Sequence, residues 1–539
     1  MARTMDRPRQ STAAATDDGK KWWVLVAMVF GLFMPMLDNL VVNVALPTIQ
    51  HKLGAGVSGL QWIIDAYTLT FASFMLTGGA LGDLYGRKRF FMSGLIVFVT
   101  GSLLCGLSAT TGQLIAFRAL QGLGAAMLLP GSLSIITATF TGKDRGAAIG
   151  IWAAMSGLAI AIGPVIGGYL VEHVSWQSIF FINVPIGIFG LALTWFVVTE
   201  SRDLSKSRRL DPPGLVTGTA GLFFLVYGLI EGNARGWTDG LILGAFVLAA
   251  VLLAIFIRIE SRRASPMLPL SFFRIPTFAA SNGVAAAIFF AMFGTIFYLT
   301  LYLQNILRYS PEGAGLRLFA FSVVMLVVAP NVGRLSDRYG SRGFMTAGPL
   351  IAAAGMLLLT RTQVDSSYWT VLLPAFLVLA TGMSMTMTPM TAAVMASVPP
   401  QHAGVASAAT NTSRELGGVF GIALLGAIVT GAFKRAFESN LIGHGFRAAA
   451  AAKIVAQGGN GAAAGAGTAQ QILHLVPGIS SQQAQAIYES IRHAFVHSMH
   501  VGMVVAIGFQ ILAAFLGFAF VRSHVTSDDS PEMTAAHAL

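Results

Sequence analysis

The sequence predicts an all-α integral membrane protein with fourteen membrane-spanning helices, arranged as two six-helix bundles with an inserted helix pair. Three observations predict it. Hydrophobic residues make up 55% of the chain and charged residues 11%, against about 25% charged in an ordinary soluble domain. Fourteen apolar segments, each reaching or approaching the roughly 20 residues that span a bilayer, follow one another between residues 22 and 521. A short charged turn lying between such segments also occurs twice. Gly79 to Lys88 and Gly333 to Arg342 share Gly, Leu, Asp, Tyr and a second Gly in register, and each ends on a cation. A duplicated turn at matching places marks two related halves.

In chain order, residues 1–21 are a polar tail with Arg3, Arg7, Arg9, Lys20 and Lys21, and the apolar run after it is too long for a signal-peptide core. The first bundle, within 22–200, holds segments 22–47, 60–80, 89–109, 113–139, 147–171 and 179–199. A basic linker and the inserted pair, 214–231 and 240–258, fill 201–276. The two loop copies start 254 residues apart, which is too far for six helices alone and requires this insertion. The second bundle, 277–521, holds segments 277–303, 315–332, 344–360, 369–396, 404–432 and 498–521, and residues 522–539 form a tail. The Ala- and Gly-rich stretch 433–497 reads as a flexible connection outside the membrane. An extracytoplasmic cap or a lipid-surface helix over Ser480 to His497 are the alternatives.

Charge sets the expected orientation. On this map 22 of the 34 Lys and Arg residues fall on the side of the N-terminus, against five in short loops opposite, so both termini are expected in the cytoplasm. The net charge of +11 is spread between apolar segments and does not gather on one face, which argues against nucleic-acid binding. The single cysteine, Cys105, excludes a disulfide framework, and no metal set or cofactor is expected. No Gly-Lys-Ser/Thr phosphate loop and no soluble catalytic segment is present, so the chain is read as a non-enzyme with no catalytic residues.

An acid within an apolar span costs about 2.5–3.5 kcal/mol on insertion scales and needs a partner, water or a proton. Asp38 in the first segment is such an acid. Counting from Pro47 places it about 13 Å from the outer end, with Asp65 and Arg118 at about 9 Å in the second and fourth segments. These three are the candidates for proton coupling. Burial and the Arg118 charge act on Asp38 in opposite senses, which suits a switch. The plainer reading is an ion pair that fixes helix packing and, for Asp65, an interfacial residue beside Trp62. In the turns, the glycines permit a tight bend and the Asp can accept from free amides at a neighbouring helix start.

The duplicated turn resembles the loop signature of the major facilitator superfamily. Arg118 to Gly124 is similar to the fourth-helix signature of its proton-coupled members, and Gly157, Gly163, Pro164, Gly167 and Gly168 to the fifth-helix signature of its exporters. Asp38 to Pro47 and Trp176 to Gly187 resemble the fourteen-helix drug/proton antiporters, the multidrug-resistance exporters. The resemblance implies that Gly79, Asp83, Gly86, Arg87 and Lys88, with Gly333, Asp337, Gly340 and Arg342, control conformation. It also implies outward transport. Leu40 stands where the branch usually has Thr, and Gly82 and Leu84 where the signature has Ala and Arg.

The second half is expected to be poor in buried charge, with Arg414 and Glu415 pairing near a cytoplasmic helix end. It offers soft surface instead: Phe289, Phe293 and Phe297 at helical spacing, and Met383, Met385, Met387 and Met390. Asn43, Phe293, Met383 and Met387 are the candidate cavity residues. The expected function is a proton-driven antiporter, without cofactor, that exports amphipathic or cationic drugs across the cytoplasmic membrane by alternating access. A dedicated exporter of one physiological compound and a non-transporting sensor are the alternatives. The expected partners are the lipid bilayer, protons and small amphipathic substrates; a periplasmic adaptor is left open.

Overall fold

In hydrocarbon every backbone N–H and C=O must find an internal partner, and apolar segments of this length solve that as helices. The computed structural model describes residues 18–54, 57–141, 143–201, 212–263, 266, 268–399, 402–463 and 481–523. Among these there is no strand, and helices occupy all fourteen expected segments. The first half comprises α1 (Asp18–Leu53), α2 (Val57–Tyr85), α3 (Arg87–Gly106), α4 (Thr111–Thr139), α5 (Lys143–His173) and α6 (Asn183–Val197). A single turn, Ser178–Phe181, precedes α6. The break follows from Pro185, which lacks the N–H that would bond the Phe181 carbonyl. The pair is α7 (Pro212–Arg235) and α8 (Gly240–Glu260). The second half comprises α9 (Pro276–Leu301), α10 (Pro311–Tyr339), α11 (Ser341–Leu359), α12 (Leu373–Ala396), α13 (Ala403–Gly443), α14 (Ala448–Ala463) and α15 (Ser481–Phe520). Twelve of the fourteen segments form helices long and apolar enough to cross a membrane; α2 and α5, of 29 and 31 residues, are outside that twelve.

Two expectations are corrected. Helix α1 does not end near Pro47 but continues to Leu53, so Asp38 lies 15 residues, about 22 Å, from its end. The described part of 433–497 is not a flexible connection. Helix α13 has 41 residues and α15 has 40, about 60 Å each and twice the roughly 30 Å hydrocarbon core. Their projecting ends pack on each other and on α14 through Phe433, Phe437, Leu441, Ala451, Ile454, Ile487, Ile491 and Phe495. The helical spacing of Ile487, Ile491 and Phe495 serves a packed helical lobe and not a lipid surface.

The halves meet along two related seams. Helix α5 lies on α10 where glycine removes the side chain: a Cβ at Gly146 would fall 2.3 Å from an Asp337 oxygen, and one at Gly150 would fall 3.2 Å from Pro330. Helix α2 meets α13. The inserted pair covers this second seam, with Val226 and Leu229 against Leu69, Ala72, Val419 and Ala423 and a Thr77–Thr219 hydroxyl contact of 2.8 Å. Tyr227 lies against Trp62 of α2 in a tilted ring contact, centres 6.2 Å apart.

Candidate functional site

Four helices of the first half converge on Asp38, which is 1% exposed. From α4, Arg118 Nη1 donates to Asp38 Oδ2 and Gln121 Nε2 donates to Oδ1 at 2.8 Å. From α6, Asn183 Nδ2 donates to Oδ1 at 2.9 Å. Ser102 of α3 accepts from Gln121 at 2.7 Å. Arg118 is fixed further by Gln121 Oε1 at 2.7 Å and the Ile63 carbonyl at 3.1 Å, with its guanidinium 4.3 Å from the Tyr67 ring centre on α2. Its Nη2 is buried without a hydrogen-bond partner among the described residues. Removing one member of a buried ion pair leaves an uncompensated charge and costs about 3–5 kcal/mol. A proton arriving on Asp38 would likewise cancel the charge that Arg118 faces.

A cavity lies between the halves. Leu32, Met36, Leu129 and Trp152 line it from the first half, and Phe289, Met292, Phe293, Met325, Met387, Asn411, Arg414 and Glu415 from the second. Arg414 is 5% exposed. It donates to Thr391 Oγ1 at 2.5 Å and Asn411 Oδ1 at 3.4 Å, with Trp152 and Phe289 ring centres 5.8 and 5.4 Å away. The second half is therefore not poor in buried charge. Arg414 and Glu415 lie 11 and 12 residues into α13, at the centre of the molecule, and no ion pair joins them among the described residues. Such a cavity presents one cation, one carboxylate and soft aromatic and Met walls. Met36 in its wall is two residues from Asp38, so α1 connects the cavity to the ion pair.

The duplicated turns lie at the end of the bundle where α1 begins. Gly86 and Gly340 have φ of +114° and +85°, a region that side chains resist. Asp83 is fully buried. Its Oδ1 accepts from Arg87 Nε at 2.8 Å and its Oδ2 from the Val405 amide in the first turn of α13, across the halves, at 2.9 Å. The Lys88 amine donates to the Trp195 carbonyl, and the Lys88 and Arg89 amides to Glu200. In the second copy Asp337 faces Gly146 of α5, Gly333 packs on the Gly146 carbonyl and Arg342 lies over Phe518. Gly79 lies within α2, six residues before the final Tyr85.

Several expected residues fall elsewhere. Asp65 is largely buried on α2 and makes no contact with Asp38 or Arg118 among the bonds described. Met383 is buried against Gln510 of α15 and does not line the cavity. Phe297 is 41% exposed, so the aromatic stripe divides after Phe293. Gly163 and Gly167 of α5 admit Leu40 and Val41 of α1, at 3.0 and 2.9 Å from an added Cβ, while Gly168 faces Glu312 at 3.9 Å. The side chains of Asn43, Gly157 and Pro164 lie outside the described residues. Gln121, Asn183, Ser102, Trp152 and Asn411 were not singled out from the sequence. Gln121 lies within Arg118–Gly124 and Asn183 within Trp176–Gly187, where a polar amide in an apolar span is the available signal.

Residues 28–422 match the sequence profile of the Major Facilitator Superfamily. The chain belongs to the major facilitator superfamily. Among members of this superfamily it is 37% identical over 418 residues to the multidrug resistance protein Stp of Mycobacterium tuberculosis, covering 77% of each chain. To the tetracenomycin C resistance and export protein of Streptomyces glaucescens it is 33% identical over 531 residues, covering 97% of this chain and 95% of that one. To the methylenomycin A resistance protein of Bacillus subtilis it is 37% identical over 409 residues, covering 75% and 87%. Among solved structures, the proton:xylose symporter XylE aligns with a TM-score of 0.59 over 96% of this chain and 99% of that one, at 13% identity. The human organic anion transporter MFSD10 aligns with a TM-score of 0.57 over 92% and 99%, at 12% identity. At these identities the likeness is one of fold. Superfamily membership and the apolar helices make the chain a multi-pass membrane protein of a transporter family.

Proposed function

We propose that this superfamily member is a proton-driven antiporter that exports amphipathic or cationic drugs from the cytoplasm by alternating access. The observation that carries the reading is the buried Asp38–Arg118 pair, with Asp38 two residues along α1 from Met36 in the wall of a central cavity with Met and aromatic walls. With the site open outward, a proton on Asp38 releases Arg118 and weakens the hold on a cation. With the site open inward, Asp38 ionises again and the cavity reloads. The two seams at α5–α10 and α2–α13 supply the surfaces on which the halves rock. The Lys and Arg asymmetry supports a cytoplasmic side for both termini. The resistance and export proteins named above support the direction.

The test is uphill efflux of a cationic dye from proteoliposomes under an imposed proton gradient, with proton flux recorded in parallel. Dye movement that requires the gradient and returns protons supports the antiporter. Dye movement indifferent to the gradient refutes it. A second reading, export of a single compound, is favoured by one relative that covers nearly the whole chain and is named for tetracenomycin C alone. A panel of unrelated cations and neutral compounds separates the two.

A further inference from the structure

The inserted pair ends in a pocket that the transport cycle does not use. Pro213 at the start of α7 and Ile255, Arg258, Ile259, Arg262 and Arg263 at the end of α8 line it. All three arginines are exposed, and Arg258 and Arg262 make no ion pair among the described residues. The one acid in this turn, Glu260, is 2% exposed and accepts from the Leu268 amide at 3.0 Å. Arg258 and Arg262 therefore leave the pocket with a net positive charge.

Toward the middle of the membrane the same face of α8 is apolar and uncovered. Val247, Val251 and Ile255 are 64%, 49% and 41% exposed and lead at helical spacing into Arg258 and Arg262, with Val216 of α7 60% exposed beside the mouth. Beyond the packing of α7 on α8, no element among the described residues covers this stripe. Arginine forks match phosphate oxygens in a bidentate way, and basic pockets between helices at the membrane surface suit anionic lipid headgroups. The start of α7 adds the positive end of its dipole, opposing the negative end of α8.

We infer that the α7–α8 pair carries a binding site for one anionic phospholipid, its phosphate held by Arg258, Arg262 and Arg263 and its acyl chain lying along Ile255, Val251 and Val247. The two-part geometry, a cationic pocket continuous with an exposed apolar stripe, distinguishes a lipid from a free phosphate. It also gives the pair a role other than lining the cavity: anchoring the α2–α13 seam to the leaflet. The inference does not depend on the direction or coupling of transport.

The test is native mass spectrometry of the detergent-purified full chain titrated with phosphatidylglycerol, phosphatidylcholine and inorganic phosphate. The expected result is one retained phosphatidylglycerol, bound at least tenfold more weakly in R258Q/R262Q/R263Q and not displaced by millimolar phosphate. Phosphatidylcholine should bind no differently in the two proteins. Equal retention of phosphatidylglycerol by the variant overturns the site, and displacement by inorganic phosphate reassigns it to a free anion and overturns the lipid. R258K/R262K/R263K preserves the charge that sets insertion and serves if the glutamine variant fails to fold. Its expected affinity is at least threefold below the wild type, since an ammonium cannot reproduce the fork; unchanged affinity counts against arginine recognition.

Discussion

At the scale of single residues the decisive group is Asp38, because three side-chain donors from two other helices end on its two oxygens. Asp38→Asn keeps the shape of the side chain but removes its charge. Uphill efflux should disappear in proteoliposomes, and because Arg118 then lacks its counter-charge the melting temperature in detergent should fall, while the protein still elutes as a folded species. A cationic substrate should lose more affinity than a neutral one. Retained uphill efflux would move the proton site elsewhere. Asp65→Asn should be milder, since Asp65 makes no bond to Asp38 or Arg118 among the bonds described. Gln121→Ala removes one donor to Asp38, one to Ser102 and one acceptor for Arg118. A hydrogen bond to a charged group is worth about 1.5–3 kcal/mol, so a lowered melting temperature in detergent should accompany slower turnover. Asp38 and Arg118 stand out in the sequence because a charge in an apolar span is costly. Gln121, Asn183 and Ser102 do not, because a neutral polar residue in a membrane helix reads equally well as packing.

At the scale of elements, glycine sets how close the helices lie. An added Cβ at Gly167 would fall 2.9 Å from Val41 and 3.3 Å from its backbone, so Gly167→Val overpacks α1 against α5. Overpacking costs about 1–3 kcal/mol, and because α1 carries Asp38, transport should fall further than thermal stability alone would explain. A melting curve together with an efflux rate checks this; an unaltered rate would show that α1 tolerates displacement. Helix α13 shows the limit of reading elements along the chain. Its hydropathy marks where it enters the membrane, but its extension to Gly443 depends on Phe433, Phe437 and Leu441 finding α14 and α15. With no such partner the same Ala- and Gly-rich composition suits a flexible connection, which is why the sequence alone reads it so.

At the scale of the whole molecule, Asp83 ties the halves together. It bonds Arg87 within its own turn and the Val405 amide of the other half. Asp83→Asn weakens a charge-assisted bond of about 1.5–3 kcal/mol on one side of the transport cycle only. Turnover should drop several-fold with substrate affinity nearly unchanged; a parallel loss of both would argue for a folding defect. Orientation is open to direct measurement in a Cys105→Ala background. Gly343→Cys, where nothing lies within 4 Å of an added Cβ, should label from the cytoplasm, and Ala449→Cys, exposed near the start of α14, from outside. Labelling of both from one face would overturn the arrangement of the helices.

The sequence by itself determined the class, the segments, the duplicated turn and the two charges that meet at the ion pair. Each is written in local composition or in a repeat, and the cost of burying charge in lipid makes such signals loud. The tertiary structure alone decided what completes the site. Spacing along one helix positions a residue on the axis of that helix, but rotation about the axis and the choice of neighbour come from packing against helices 80 to 145 residues away in the chain. That packing brought Asn183 to Asp38, turned Met383 into the core while Met387 faces the cavity, and carried Arg414 and Glu415 from an expected helix end to the centre of the molecule.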